Sequence, residues 1–227
     1  MTACIVTFRK TEPVRWLSHL DLLRAFERAV RRAGLPVSYT AGFNPRARLV
    51  FASALSTGVT GDGEVLGIHL EAELAMDEAA ARLTAVLPPG ISIVSCTAMP
   101  AERVGGFLNG FTRAEYQVFC DVPPGSFDAL CRALESVQNA AELPIERIRQ
   151  GKSRRVDVRP WLYRIAAAPA AKDRAVISAT VGIGEGGAAK PNEIVQLLAE
   201  RGAELTPRKI HRVRLIVPEV GQLACEE

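Results

Sequence analysis

The sequence lacks the short motifs that mark common catalytic and metal sites. It contains no H-E-x-x-H, no G-x-S-x-G and no P-loop, and none of its five cysteines forms a C-x-x-C pair. The cysteines are odd in number and widely spaced, which favours reduced and mostly buried thiols. We therefore expect no cofactor, no metal and no independent catalysis. The cysteines are Cys4, Cys96, Cys120, Cys131 and Cys225.

Long apolar runs are also missing. No segment approaches the roughly eighteen consecutive apolar residues of a membrane helix. The first residues, "MTACIVTFRKTEPVRW", lack the basic-then-apolar pattern of a signal peptide. These observations predict a cytoplasmic protein without membrane contact. With 227 residues, of which 48% are hydrophobic, the chain is long enough to bury a core as one large domain or two small ones.

The net charge of +3 hides an uneven distribution of charge along the chain. Residues 1–60 contain nine Lys/Arg and three Asp/Glu, residues 61–142 four and twelve, and residues 143–227 fifteen and ten. Two basic segments thus flank an acidic one. Because a local cluster of cations sets the field that a phosphate backbone feels, this distribution favours a nucleic-acid partner, and RNA is the partner that we expect.

Hydrophobic periodicity predicts the order β-α-β-β-α-β in the first half. "CIVTF" alternates as a strand, and Ser18 with Asp21 forms a variant of the capping box that starts a helix, which ends before Gly34. Two alternating segments, "ARLVFAS" and "EVLGIHLEA", a helical segment at 77–87 and the strand "ISIVSC" follow.

The same order recurs after a glycine-rich connector at 100–113. "EYQVFCDV" alternates, Ser126 caps a helix, "PIERI" and "RRVDV" flank a turn, and "AVISATV", a helix from Pro191 and "IHRVRLIV" complete the chain. We interpret the chain as an α+β protein with tandem ferredoxin-like domains, residues 1–99 and 114–227, each with an antiparallel sheet. In such a domain both helices cover one side of the sheet and leave the other side for a partner.

Arginines line one face of the first predicted helix. Arg24, Arg28 and Arg31 are four and three positions apart, so they form a stripe away from the apolar side. One interpretation is a solvated face partly neutralised by a Glu27–Arg31 pair. The other is a phosphate-binding edge to which neighbouring segments contribute further cations. Those cations are Arg9, Lys10, Arg15, Arg46 and Arg48.

A second cluster of cations lies in the later half. Between positions 147 and 164, seven Lys/Arg face one acid, Asp157, and two aromatic residues lie among them. Interleaved cations and aromatic rings suit phosphate contact combined with base stacking, and the alternative is a basic hairpin whose aromatics belong to the core. The residues expected to bind nucleic acid here are Arg154, Arg155, Arg159 and Trp161, with Tyr163 as a further candidate for stacking.

His19, at the start of the arginine-bearing helix, is the histidine best placed for chemistry. The helix dipole tends to keep an imidazole there neutral, as a base in metal-independent RNA cleavage would be. The alternative is a binding or hydrogen-bonding role without catalysis. His211, by contrast, shares a face with Val213 and Leu215 and is expected in the core.

"GIGEGG", residues 182–187, formally matches the phosphate-binding pattern G-x-G-x-x-G. Glu185 within it would repel a phosphate, and only one helix and one strand follow, which is too little for a dinucleotide-binding sheet. We expect a flexible turn or an RNA-backbone contact instead of a cofactor loop.

Most of the chain resembles an uncharacterised bacterial family, the radical-SAM-linked domain of unknown function. The resemblance lies in "RKTEPVRWLSHLDLLRAFERAVRRAGLPVSYTAGFNPRARLVFASALSTGV", "GKSRRVDVRP" and "AAKPNEIVQLLAERG". Members of that family are typically encoded beside, or fused to, a cobalamin-binding radical-SAM protein. Since this chain has no C-x-x-x-C-x-x-C run to hold the radical-SAM iron–sulfur cluster, the resemblance implies an accessory role beside a separate radical-SAM protein.

A fainter resemblance is to the CRISPR repeat-processing endoribonucleases, in the tandem ferredoxin-like order and the histidine at the start of the first helix. That group places its glycine-rich loop before the last strand, whereas here the loop precedes the last helix. Three hypotheses follow. The chain is an RNA-binding accessory to a radical-SAM enzyme in RNA modification or ribosome-related metabolism, a metal-independent endoribonuclease that uses His19, or a protein–protein adaptor without RNA binding.

Overall fold

The computed structural model describes residues 2–149, 151–171, 173–184 and 186–218. In these residues the chain is an α+β protein with ten strands and five α-helices. It divides into two compact units, of which one holds the described residues up to Phe111 with Val217 and Pro218, and the other holds Thr112–Ile216. Glu185 and Cys225 lie outside the described residues. Over the described ranges, no helix is long and apolar enough to cross a membrane.

The first unit contains four strands and three α-helices. The strands are β1 (Thr2–Lys10), β2 (Leu49–Phe51), β3 (Val59–His69) and β4 (Ile91–Pro100), and the helices are α1 (His19–Arg32), α2 (Met76–Val86) and α3 (Val104–Asn109). Strand β1 lies between β3 and β4, and β2 pairs with β3, so that the order is β4-β1-β3-β2 with antiparallel pairs. The sequence predicts all of these elements except α3, which lies in the predicted connector.

Helix α1 begins and ends where its sequence predicts. The Ser18 hydroxyl accepts a hydrogen bond from the backbone N–H of Asp21 at 3.2 Å, and the Asp21 carboxylate accepts one from the backbone N–H of Ser18 at 3.4 Å. Together these contacts form the capping box. The helix ends at Arg32, just before Gly34, whose φ of 61° suits glycine and turns the chain out of the helix.

The core of the first unit lies between α1, α2 and one face of the sheet. Phenylalanine rings form its centre, with 4.8 Å between the ring centres of Phe8 and Phe26 and 5.9 Å between those of Phe26 and Phe51. Leu66 and Ile68 of β3 are completely buried in the same cluster. The alternation of β3 in the sequence therefore predicts its buried face correctly.

The opposite face of β3 is covered by α3. A Cβ atom added at Gly67 would lie 2.7 Å from Val104 Cγ1 and 3.3 Å from Leu108 Cδ1, so glycine allows the helix to approach the strand. His69, on the same face, is only 9% exposed, and this burial, together with the charge of Arg48, lowers its pKa. Strand β3 is thus buried on both faces, because a helix packs on each.

The second unit contains six strands and two α-helices. The strands are β5 (Arg113–Asp121), β6 (Pro144–Arg149), β7 (Lys152–Asp157), β8 (Leu162–Ala171), β9 (Arg174–Gly182) and β10 (Thr206–Ile216), and the helices are α4 (Phe127–Asn139) and α5 (Pro191–Ala199). Strands β10, β5, β9 and β8 pair antiparallel in that order. Strands β6 and β7 pair with each other as a separate two-stranded sheet.

In the second unit, strand β8 is the element that the sequence analysis does not predict. "PIERI" and "RRVDV" are strands, as expected, but they form the separate hairpin, and β8 takes the place beside β9. Its segment "AAAPAA" carries no alternation of apolar and polar residues, because alanine occupies both faces. Pairing with β9 therefore decides its structure.

Strand β10 buries a different face from the one that its sequence predicts. Arg212 is completely buried and Leu215 is 8% exposed, whereas His211 is half-buried instead of lying in the core. A β-bulge between Arg212 and Arg214 shifts the alternation by one residue, which brings Arg212 and Leu215 to the same side. The Arg212 guanidinium donates a hydrogen bond to the Tyr116 hydroxyl at 3.3 Å.

Lys10, which the sequence analysis counts among the surface cations, is also completely buried. Its ammonium group donates hydrogen bonds to the backbone carbonyls of Arg15 and Leu17, each at 2.9 Å. Both carbonyls belong to the segment that leads into α1. Lys10 therefore fixes this segment just before the N-cap Ser18.

Replacing Lys10 with methionine should destabilise the protein, because the carbonyls of Arg15 and Leu17 would lose their charged donor. We expect the free energy of unfolding to fall by roughly 1–3 kcal/mol for each carbonyl. Urea unfolding followed by far-UV circular dichroism measures this change. The control is Arg9→Met at the exposed neighbouring position, which should change stability by less than about 0.5 kcal/mol. Equal midpoints for the two variants would contradict this role of Lys10.

Candidate nucleic-acid interface

The predicted arginine stripe is an exposed surface of α1. Arg24, Arg28 and Arg31 are all exposed, on the side of the helix away from its buried residues. Arg24 lies 3.6 Å from Asp21, but Arg28 and Arg31 form no ion pair with any described residue, so the Glu27–Arg31 pair of the alternative interpretation is not formed. The stripe therefore carries positive charge that its own helix neutralises only at one end.

Two exposed apolar side chains, which the sequence analysis does not single out, lie at the beginning of this stripe. Trp16 is 66% exposed and Leu20 is 61% exposed. Leu20 precedes Arg24 by four residues and shares its helix face. The Arg15 guanidinium lies 4.5 Å from the centre of the Trp16 ring and 3.1 Å from the Glu12 carboxylate, so its charge is already engaged. The sequence contained one signal for this surface, since Leu20 is out of phase with the buried apolar residues of α1.

Arg46 and Arg48 are exposed on a different surface from the stripe. Leu49 and Phe51, which follow them on β2, pack against the core beneath α1. Strand alternation therefore turns Arg48 to the opposite side of the sheet, toward His69. Arg46 ends the loop at 40–46, in which the Phe43 ring is fully exposed. The structure therefore does not bring Arg48 to the stripe on α1.

His19 is the first residue of α1 and is half-buried. Its imidazole packs edge-to-face against Phe51, with 5.1 Å between the ring centres and an angle of 77° between the planes. This contact joins the start of α1 to β2. The geometry gives His19 a packing role, and its part in binding or catalysis stays a prediction.

The hairpin of β6 and β7 carries the second cluster of cations. Arg154 and Arg155 are exposed on β7, where Arg155 lies opposite Glu146 and Arg154 opposite Arg147. Cross-strand pairs with opposite charges stabilise a hairpin, whereas two arginines opposite each other do not. Arg154 therefore has no compensating acid directly opposite it, and neither has Lys152, which lies opposite Arg149.

Arg147, on β6, turns inward and anchors the hairpin. Its guanidinium donates hydrogen bonds to both carboxylate oxygens of Glu193, at 2.7 and 2.8 Å, and to the backbone carbonyl of Ala188. Glu193 is buried, and its hydrogen bonds raise the pKa of Arg147. The Glu193 carboxylate also accepts a hydrogen bond from the backbone N–H of Lys190 at 2.8 Å, which caps α5. Arg147 therefore holds structure and is not available to a phosphate.

Trp161 lies against the glycine-rich loop at 182–187. Its indole N–H donates a hydrogen bond to the Gly186 carbonyl at 3.0 Å. A Cβ atom added at Gly187 would overlap the indole ring, and one at Gly182 would lie 3.2 Å from the Trp161 Cβ. Gly182 and Gly187 thus make room for a tryptophan, which accounts for two of the three glycines in the phosphate-binding pattern. Arg159, nearby in sequence, is half-buried, and its backbone N–H donates to the Asp157 carboxylate at 3.0 Å.

The described cysteines are free thiols. A hydrogen bond between Cys4 and Cys96, on the neighbouring strands β1 and β4, raises the pKa of Cys4 and lowers that of Cys96. Burial raises the pKa of Cys120 to about 11. In the part of the chain that the structure describes, no three His, Cys, Asp or Glu side chains are grouped closely enough to hold a metal ion. Cys131 is half-buried and free.

Replacing Gly187 with alanine should destabilise the second unit, because the new methyl group would overlap the Trp161 ring. A loss of roughly 1–3 kcal/mol in the free energy of unfolding is expected. Gly184→Ala is a matched control, since Gly184 also has a positive φ, 99° against 123° for Gly187, but has open space around it. Urea unfolding monitored by tryptophan fluorescence compares the two. The proposed contact is wrong if both variants unfold at the same urea concentration.

Comparison with the curated proteins found no match. Among solved structures, the chain is similar to "Crystal Structure of a Cbf5-Nop10-Gar1 Complex", with 9% sequence identity and a TM-score of 0.55, over 93% of this chain and 48% of that chain. It also matches "Crystal structure of the archaeal box H/ACA sRNP Nop10-Cbf5 complex", with 10% identity and a TM-score of 0.49, over 93% and 47% of the two chains. The chain spans about half the length of these proteins. The first likeness shows the fold alone.

A protein-family model gives a broader match in sequence. The family described as "Uncharacterized protein conserved in bacteria (DUF2344)" matches residues 4–191. The matched segment includes the arginine stripe on α1, the β6–β7 hairpin and the glycine-rich loop. Because the match covers well over half of the sequence, this chain belongs to that family of uncharacterized bacterial proteins.

Proposed function

We propose that this protein is a cytoplasmic RNA-binding accessory protein that works with a separate radical-SAM enzyme in RNA modification or ribosome-related metabolism. The observation that carries the proposal is the exposed stripe of Arg24, Arg28 and Arg31, of which only Arg24 contacts an acid among the described residues. A phosphate backbone neutralises such cations and releases its counterions. Contacts of this kind position an RNA without reading its sequence.

The β6–β7 hairpin supports the same proposal from the second unit. Arg154 and Arg155 are exposed on one strand, and Arg154 lies opposite another arginine instead of an acid. Glu193 compensates the charge of Arg147, whereas Arg154 and Arg155 are exposed and available to an anionic partner. In this proposal both units contact the RNA.

We also propose that each unit is a ferredoxin-like domain. The support is the strand order, β4-β1-β3-β2 in the first unit and β10-β5-β9-β8 in the second, with an α-helix between the first and second sheet strands and another between the third and fourth. Helix α3 and the β6–β7 hairpin are additions to this plan. Such domains leave one sheet face free of their own two helices.

The radical-SAM partner follows from the resemblance of the sequence to radical-SAM-linked proteins. The chain has no C-x-x-x-C-x-x-C run for the iron–sulfur cluster, so the radical chemistry belongs to the partner. The role that remains for this chain is to hold or present the substrate. A pull-down from native cells, with and without nuclease treatment, separates partners bound through RNA from partners bound directly.

Replacing Arg24, Arg28 and Arg31 together with glutamate should weaken binding to unrelated RNAs alike. Each lost phosphate contact should also reduce the slope of log affinity against log salt by roughly 0.7 on single strands. Fluorescence anisotropy of labelled RNAs at several salt concentrations measures both quantities. A variant with Arg103, Arg132 and Arg201 changed to glutamate carries the same change in net charge but disperses it, and should keep more of the affinity and the slope.

Two results would contradict this prediction. If the clustered and dispersed variants lose affinity equally, the stripe is not a specific contact surface. If the wild-type protein shows no salt-sensitive affinity for any cellular RNA but still binds a radical-SAM protein, the chain is a protein–protein adaptor.

His19→Ala should change RNA affinity or stability without removing a cleavage activity, because the imidazole packs against Phe51 at the start of α1. Incubation of the purified protein with structured RNA in EDTA tests this expectation. Discrete cuts that appear with the wild-type protein and vanish with His19→Ala would establish the endoribonuclease instead. His19→Phe, which keeps a ring beside Phe51, separates loss of packing from loss of the imidazole.

A further inference from the structure

One row of side chains crosses the four-stranded sheet of the second unit and combines two arginines with a hydroxyl and a carboxylate. The row consists of Arg164 on β8, Thr180 on β9, Glu115 on β5 and Arg214 on β10, each opposite the next. The alternate residues of β5 and β9, such as Ala114 and Ile177, are buried on the other face. The row therefore lies on the face that is turned away from the apolar core.

This row borders a shallow pocket of about 280 Å³, whose lining also includes Ala166, Ser178 and Ala179. Arg214 donates a hydrogen bond to the Glu115 carboxylate at 2.8 Å, so these two charges compensate each other. Arg164 is exposed and forms no ion pair with any described residue. The pocket thus offers one uncompensated cation beside two hydroxyl groups and a carboxylate, which are groups that bind a phosphate and a ribose.

An exposed aromatic ring lies beside the row. Tyr163 is 43% exposed, and the Arg113 guanidinium lies 3.8 Å from its ring centre. Adjacent residues of a regular strand point to opposite faces, but the register of β8 shifts between Leu162 and Arg164, so that Tyr163 is the extra residue of a bulge. The stacked Arg113 guanidinium holds the Tyr163 ring in place. The ring therefore loses less conformational entropy when a ligand binds.

We propose that this face of the second unit binds single-stranded RNA. A base stacks on Tyr163, a phosphate contacts Arg164, and the ribose 2′-hydroxyl bonds to the polar side chains of the pocket. Four-stranded sheets with aromatic and cationic side chains recognise RNA in this way when its bases are unpaired. The inference deepens the proposed function and rests on it, but it uses residues outside both the α1 stripe and the β6–β7 hairpin.

The composition of the face favours RNA over an acidic protein. A protein interface is dominated by a buried apolar or aromatic anchor that fills a pocket on its partner. Here the apolar members of the pocket lining are alanines, and the remaining members are charged or carry hydroxyl groups. Cations beside a held aromatic ring match the alternation of phosphate and base along a single strand.

The test measures binding of a labelled single-stranded RNA of about twelve nucleotides to the full chain by fluorescence anisotropy. Tyr163→Ala should weaken binding by roughly 5- to 140-fold, which is the range for loss of one stacked base. Tyr163→Phe should bind like the wild type, because a phenyl ring also stacks. Arg164→Gln should weaken binding and reduce the salt slope by roughly 0.7. Arg132→Gln, on helix α4, is the matched control and should change neither quantity.

The outcomes separate this inference from the proposed function. The site is supported if RNA affinity falls in Tyr163→Ala and Arg164→Gln. Tyr163→Phe and Arg132→Gln should then keep the affinity of the wild type. If both site variants bind like the wild type while the Arg24, Arg28 and Arg31 variant is weak, the inference fails and the proposed function stands. If the wild-type chain binds no RNA, both fail. Circular dichroism checks that each variant is folded. If Tyr163→Ala does not fold, the RNA affinity and salt slope of Arg164→Gln decide the outcome.

Discussion

Each unit depends on burying one face of its sheet beneath two helices. In the first unit the phenylalanine cluster of β1, β2 and α1 supplies this burial, and each buried ring of that size contributes about 1.5–3 kcal/mol. Because side chains of a strand alternate, a buried face on one side determines which residues face the other side. In the first unit α3 covers β3 at Gly67 on that other side, whereas in the second unit the corresponding positions are half-exposed and polar. The candidate RNA-binding row thus follows from where the helices pack.

The cations of this chain fall into two groups, those that hydrogen bonds inside the fold engage and those that are exposed to solvent. The buried Lys10 and Arg212 and the half-buried Arg147 donate hydrogen bonds to carbonyl, carboxylate or hydroxyl acceptors, as charges removed from water require. The arginines of the α1 stripe are exposed, and exposed charges contribute little to stability. Contacts inside the fold therefore explain the first group, whereas the second group faces solvent and supports the proposed RNA binding. Counting charges along the sequence does not separate the two groups. Lys10, for example, adds to the positive charge of residues 1–60 but does not add to the positive charge of the surface.

Sterics account for glycine patterns that resemble functional motifs. Gly67 admits helix α3, and Gly187 admits the Trp161 ring, so each glycine is required by a contact inside the protein. In the pattern "GIGEGG" this reason applies to Gly182 and Gly187, which lie against Trp161, whereas Gly184 has open space around it. The same contact holds Trp161 against the loop, whereas Tyr163, beside Arg113, is an exposed aromatic ring of the same unit. The aromatic residue that the sequence favoured for stacking is thus engaged by its own unit.

The sequence by itself determined the local features of this protein. It determined the capping box and bounds of α1, the arginine stripe, the alternating strands of the first half and the β6–β7 hairpin, because these depend on residues a few positions apart. Only the tertiary structure decided the place of β8, the buried face of β10, the burial of Lys10 and the contact of Tyr163 with Arg113. The first two and the last depend on strand pairing, register or a bulge, which can move a side chain from one face to the other without any change in local sequence pattern. Lys10 continues the alternation of Cys4, Val6 and Phe8, and its burial depends on the carbonyls of Arg15 and Leu17, which the fold brings to its ammonium group.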